Sequence, residues 1–159
     1  MIRGDGQHAI RNLDMTTEVW QFDRPKGRPP VWACRVTDGP TVIFESYAVS
    51  LRLLSRDAAS WIARVVEELH GAVYPLEWRG DLEDDCSAAW KRFVAHAEHL
   101  QGPHRGGIWY CSVSDLDGKR FFHTADRKDI QPKSGAAARW LCELVISAAE
   151  AGSVGPYVA

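Results

Sequence analysis

The chain lacks several patterns that usually reveal a function. Its 159 residues contain no run of about 18 apolar residues, so we expect no membrane-spanning helix. There is no GxGxxG and no Walker A loop, which removes the commonest nucleotide-binding signatures. The four cysteines include no CxxC pair, so neither a thioredoxin-like motif nor a zinc knuckle is indicated. We therefore expect no cofactor and no metal site, and a protein without catalysis rather than an enzyme.

A strong excess of charge of either sign is also missing. The 19 Lys and Arg residues nearly balance the 21 Asp and Glu residues, and the net charge is −2. Because nucleic-acid-binding domains are usually strongly basic, this balance argues against a nucleic-acid partner. A local contact through the basic residues Arg24, Lys26 and Arg28 stays open as a weaker alternative. We expect a soluble, cytoplasmic protein, because Met1–Met15 has no apolar segment of a secretory signal.

The hydrophobic pattern predicts five strands, which share alternating or β-branched residues. These strands are Thr17–Asp23, Val31–Thr37, Thr41–Tyr47, Ile108–Asp115 and Lys119–Ala125. Asp-Gly pairs at 38–39 and 117–118 predict tight hairpin turns. The register around the second turn places Ser112 opposite His123.

Three helices are predicted from apolar residues at helical spacing. The first begins at Ser55 and ends before Gly71, and the second runs from Asp81 or Asp85 to Gln101. The third runs from Ser134 to about Ala151 and is apolar around most of its circumference. Such a helix is either buried or shared with a second chain, so a homodimer stays open.

These elements give the order βββ-αα-ββ-α along the chain. Runs of strands followed by runs of helices indicate an α+β fold. We expect one mostly antiparallel five-stranded sheet with the helices packed on one face. The predicted single domain covers residues 16–152, with a flexible arm at 1–15 and a tail at 153–159.

The first candidate site is the acidic segment Glu77–Asp85. It carries five carboxylates against the single cation Arg79, a local balance of −4. The carboxylates are those of Glu77, Asp81, Glu83, Asp84 and Asp85. Trp78 lies within the segment and Trp90 follows it, and aromatic residues often anchor protein interfaces beside charges that steer association. A plain solvated face is the alternative interpretation.

The second candidate site is a polar strip on the predicted second helix. Arg92, His96 and His99 would lie on one side of that helix, with His123 from the sheet nearby. Arginine would clamp an anionic substrate and a histidine would act as general base. A metal ion held by the two helical histidines would lack a defined third ligand, and a solvated flank is again the plain alternative.

The leading hypothesis is a protein-binding module that docks a basic partner through the acidic, tryptophan-flanked surface. Bacterial immunity proteins and antitoxins share this general character, and their nuclease partners are basic because nucleic acid is their substrate. The partner would then be a toxin or an effector, and a secretion chaperone or scaffold belongs to the same class. The alternative is a small enzyme or ligand-binding domain that uses the Arg92, His96, His99 and His123 strip.

Overall fold

Strands dominate the structure, a computed structural model that describes residues 11–23, 25–29, 31–48, 54–100, 108–126, 130, 132 and 134–156. Within these ranges the chain forms two helices, α1 (Leu54–Glu68) and α2 (Gly135–Ala151). The strands described there are β1 (Arg11–Asn12), β2 (Met15–Phe22), β3 (Val31–Asp38), β4 (Thr41–Ala48), β5 (Ala72–Val73), β6 (Arg79–Asp81), β7 (Asp85–Trp90), β8 (Phe93–Leu100), β9 (Ile108–Asp115) and β10 (Arg120–His123).

The predicted α+β class and the five-stranded antiparallel sheet are confirmed, but the strands of that sheet are not the predicted set. Its order is β10-β9-β8-β7-β6. Strands β2, β3 and β4 form a separate three-stranded sheet, and β1 pairs with β5. The three-stranded sheet therefore takes the three N-terminal strands that we expected in the main sheet.

The predicted second helix, from Asp81 or Asp85 to Gln101, is wrong, because its described part is the hairpin of β7 and β8. Alternate residues of both strands are buried, and the inward residues are Cys86, Ala88, Trp90, Phe93, Ala95 and Ala97. Lys91, at a φ of 52°, and Arg92 make the turn. The predicted order βββ-αα-ββ-α fails for the same reason, since two strands replace one helix.

Helix α2 lies between the two larger sheets. It contacts β8 and β9 on one side and β4 on the other. Ser134 caps its first turn by accepting a hydrogen bond from the Ala137 N–H at 3.1 Å, and Gly152 ends it at a φ of 82°. Its apolar circumference, which left a homodimer open, is buried within the chain.

The folded unit begins before residue 16, where the arm was predicted to end. Residues 1–10 of that arm lie outside the described residues, whereas 11–15 form β1 and the start of β2. Leu13 and Met15 pack against the core. At the other end, the Ser153 N–H donates to the Ala148 carbonyl at 2.8 Å, and 157–159 lie outside the described residues. No helix of the described chain is both long and apolar enough to cross a membrane.

Candidate functional site

The acidic segment Glu77–Asp85 forms one edge of the five-stranded sheet. Strand β6 is the edge strand, and a short turn joins it to β7. Four of the five predicted carboxylates belong to exposed residues and that of Asp84 to a half-buried one; the exposed ones are Glu77, Asp81, Glu83 and Asp85. The predicted acidic residues therefore lie together at the surface.

Three carboxylates form a row across the sheet, which we call the acidic row: Asp81, Asp85 and Glu98. Asp81 lies directly opposite Asp85, and Asp85 lies directly opposite Glu98. Directly opposed residues share a face of the sheet. Like charges on two directly opposed residues repel each other and destabilise the sheet. Tyr110 of β9 opposes Glu98 and is 42% exposed, which places an aromatic ring at the end of the row.

Sequence reasoning missed Glu98 and Tyr110 as members of this surface. In the predicted second helix, Glu98 has no reason to meet Asp85. The alternation of small apolar and polar residues along β8 was the available signal, since a strand of period two points Glu98 and His96 to one face.

The hairpin is held tightly within itself and is joined to α2 by a hydrogen bond. Gly80 has a φ of 100°, and a Cβ there would lie 2.6 Å from the Asp85 carbonyl oxygen, so the close strand pairing requires glycine. The Leu82 carbonyl accepts a hydrogen bond from Arg139 Nη1 of α2 at 2.5 Å. The acidic side chains are thus presented on an ordered scaffold, which lowers the entropic cost of binding.

The two tryptophans predicted to flank the acidic segment have different environments. Trp78 is half-buried, and its indole N–H donates to Glu143 Oε2 at 3.2 Å. Trp90 is 6% exposed and stacks on Tyr74 at a ring distance of 4.8 Å. Trp90 therefore belongs to the core, whereas part of Trp78 is accessible.

The second candidate site, the polar strip predicted on the second helix, is pulled apart because that segment forms strands. Arg92 lies in the turn before β8, with its guanidinium 4.6 Å from the Phe93 ring centre. His99 lies near the other end of β8 and stacks on Trp109 at 5.0 Å. These two side chains do not converge, so Arg92, His96 and His99 do not form the predicted strip.

His96 and His123 do come together, on either side of Ser112. Ser112 opposes His96 on β8 and His123 on β10, and the second pairing is the one that we predicted. His96 Nε2 lies 2.6 Å from Asp85 Oδ1. The row His96–Ser112–His123 lies on the same open face as the acidic row.

The chemistry available at Ser112 is limited by its backbone. Ser112 lies on β9, which pairs with β8 on one side and with β10 on the other. The backbone N–H groups around Ser112 are therefore used in the sheet and do not form a free pair of oxyanion donors. His123 Nδ1 accepts the Ala125 N–H at 2.9 Å. Burial lowers the pKa of His123, and the nearby Arg120 lowers it further. The hydrogen bond fixes the orientation of the His123 ring, and the lowered pKa favours its neutral form.

In the described ranges, no three His, Cys, Asp or Glu side chains gather in a way that would hold a metal ion. No protein-family model, curated protein or solved structure matches this chain. The geometry of the acidic row and its scaffold is therefore the basis on which a function is proposed.

Proposed function

We propose that the chain is a protein-binding module without catalysis, which docks a basic partner through the acidic row and the hairpin turn beside it. The opposition of Asp81, Asp85 and Glu98 is the observation that carries this proposal. Like charges held face to face lower folding stability. An incoming cationic surface would relieve that repulsion, so the strain in the free protein becomes affinity in the complex.

Protection of a sheet edge does not account for the whole row. Charged side chains on an edge strand discourage unwanted pairing, and this suffices for Asp81 on β6. Glu98 lies on β8, which is paired on both sides and has no edge to protect. The extension of negative charge into the sheet favours a binding role.

Apolar contact area is available next to the charges. Leu82 at the hairpin turn is 43% exposed and Tyr110 is 42% exposed. Interfaces commonly combine a few aromatic or apolar anchors with a polar rim. An inhibitor of a basic toxin or effector, in the manner of immunity proteins and antitoxins, or a chaperone for such a protein, would use a surface of this kind.

Charge reversal tests the proposal. The variant Glu83→Lys, Asp85→Lys, Glu98→Lys reverses the surface and leaves the Asp81 carboxylate, which accepts the Glu83 N–H at 3.0 Å, in place. A matched control reverses three exposed acids elsewhere: Asp23→Lys, Glu67→Lys, Asp117→Lys. Both variants change the net charge equally.

The readout is the set of proteins captured from an extract of the cells that express the chain, followed by binding with the purified captured protein. We expect a stoichiometric basic protein that the wild type and the control retain and that the surface variant loses. Equal retention by the surface variant, or a captured protein that is acidic, contradicts the proposal.

A second candidate is a ligand-binding or catalytic face around Ser112, favoured by the convergence of His96 and His123. Arg120, which is paired with Asp126 at 3.1 Å, lies nearby, and this face would take a small anion. Titration with millimolar inorganic phosphate, followed by the ring NMR signals of both histidines, tests it. Saturable shifts of both histidines in the wild type, with the His123 shifts lost in His96→Gln, support the second candidate. Unchanged histidine signals in the wild type exclude phosphate-like ligands.

A further inference from the structure

A cavity of about 450 Å³ opens beside Trp78. It lies between the β3–β4 turn, the loop before β6 and the first turns of α2, and its chemistry-bearing lining residues are Asp38, Trp78, Arg139, Trp140 and Glu143. The volume is within the range of small-ligand pockets. The cavity therefore has room for a long side chain.

Each indole in the cavity is hydrogen-bonded to a carboxylate. The Trp140 N–H donates to Asp38 Oδ2 at 2.8 Å, and the Trp78 N–H donates to Glu143 Oε2 at 3.2 Å. Glu143 Oε2 also accepts the Leu76 N–H at 3.1 Å, and its residue is 9% exposed. The half-buried ring of Trp78 and two anionic groups are thus fixed in the wall before any ligand arrives, whereas the Trp140 ring, only 4% exposed, lies mostly within the core.

The lining has the composition of a cation site. Indole is the best aromatic partner of a cation, and a carboxylate accepts a guanidinium through charge-assisted hydrogen bonds. The cationic group in the lining, that of Arg139, is held at the Leu82 carbonyl. With Asp38 and Glu143 against Arg139, the lining carries one excess negative charge.

We infer that this cavity receives an arginine side chain of the basic partner. The inference rests on the proposed function, because Trp78 belongs to the acidic segment and also lines the cavity. Arg139 joins the two regions by its bond to the hairpin turn. Arginine suits the site better than lysine, because a planar guanidinium stacks on indole and is more weakly hydrated than an ammonium group.

The experiment uses capped amino acids as probes. N-acetyl-arginine amide is titrated into the full chain, and the indole N–H signals of Trp78 and Trp140 are followed by NMR, with assignments from Trp78→Phe and Trp140→Phe. We expect saturable shifts of both signals. N-acetyl-citrulline amide, which has a similar shape without the charge, should shift neither, and N-acetyl-lysine amide should bind more weakly.

Variants show whether the charge of the cavity wall is responsible. Glu143→Gln keeps an oxygen for the Trp78 and Leu76 N–H groups. We expect this variant to bind N-acetyl-arginine amide about tenfold more weakly than the wild type does. Glu150→Gln, on the same helix but paired with Lys91, should bind as the wild type does. If Glu143→Gln does not fold, Asp38→Asn replaces it with the same expectation.

Equal binding of the citrulline or lysine probe, no saturable shift, or full affinity in Glu143→Gln overturns the inference. Its failure is distinct from that of the proposed function. If the arginine probe fails while partner capture still depends on Glu83, Asp85 and Glu98, the cavity assignment alone is wrong. If the arginine probe binds but partner capture does not depend on Glu83, Asp85 and Glu98, the cavity is a cation site and the docking surface lies elsewhere.

Discussion

The Leu82 carbonyl oxygen lies against Gly135, the first residue of α2, so closely that a Cβ on Gly135 would be 2.6 Å from it. That Cβ would also lie 2.9 Å from Arg139 Nη1. The missing side chain is what lets the acidic hairpin rest on the start of the helix.

Gly135→Ala should therefore destabilise the protein. Helix propensity alone would favour alanine by about 1 kcal/mol. The backbone contact outweighs this preference, and we expect a net loss of about 1–2 kcal/mol in the free energy of unfolding by urea, typical of overpacking. Gly155→Ala, where the new Cβ meets nothing within 4 Å, is the control. A more stable Gly135→Ala protein would show that the hairpin is not seated on α2.

Glu98→Gln should stabilise the folded protein, because it removes one member of the acidic row. The expected gain is about 0.2–1 kcal/mol, the range for cross-strand charge pairs. Urea unfolding at low and at high salt measures it, and the gain should shrink at about 1 M salt, where the screening length is roughly 3 Å. A loss of stability at low salt would contradict the assignment of repulsion to this row.

His123 should make stability fall in mild acid. Burial lowers the pKa of His123 from its ordinary value of 6.5, so the unfolded chain binds this proton more readily than the folded protein. The free energy of unfolding therefore decreases as the pH falls below the unfolded pKa, and this contribution levels off below the folded pKa. Above the unfolded pKa it is absent.

The variant His123→Gln should remove that part of the pH dependence. Urea unfolding between pH 5 and 8 compares it with the wild type and with His70→Asn, an exposed turn residue whose φ of 53° suits asparagine. If His123→Gln and the wild type lose stability in parallel on acidification, another group is responsible.

Three thiols should be unreactive in the native protein. Cys86, Cys111 and Cys142 are free and buried, and desolvation raises the pKa of Cys142 well above its ordinary value, with further effect from Cys111. Since the thiolate is the nucleophile, iodoacetamide should label these residues slowly until urea unfolds the chain. Mass spectrometry of a Cys34→Ser protein measures this, and rapid native labelling of any of the three would reveal an accessible, activated thiol.

Local signals in the sequence were enough for α2 and for the Ser112–His123 pairing. Ser134 supplies a cap, Gly152 supplies a stop and the residues between them are apolar, so the helix is specified without distant partners. The Asp117–Gly118 turn marks its hairpin in the same way, and the predicted pairing of Ser112 with His123 holds beyond a register shift between Arg120 and Phe122. These features depend on neighbours within a few residues.

The β7–β8 hairpin could not be predicted by the same means. Cys86, Ala89, Trp90, Phe93, Val94 and Ala97 satisfy helical spacing, while the alternate residues of the same segment satisfy a strand. The choice depends on pairing with β6 and β9, and the turn at Lys91 has no glycine to mark it. The predicted polar strip of Arg92, His96 and His99 fails for the same reason. Arg92 and His99 are roughly 23 Å apart along an extended strand, whereas on a helix they would be two turns apart on the same side.

The most direct test of the docking proposal is the salt dependence of the association rate with the captured basic partner. We expect the wild type and the Asp23, Glu67, Asp117 control to associate fast at low salt and to slow steeply as salt is added. The Glu83, Asp85, Glu98 variant should associate at least about tenfold more slowly at low salt and respond little to added salt. Equal rates and parallel salt slopes for all three proteins would contradict docking through the acidic row.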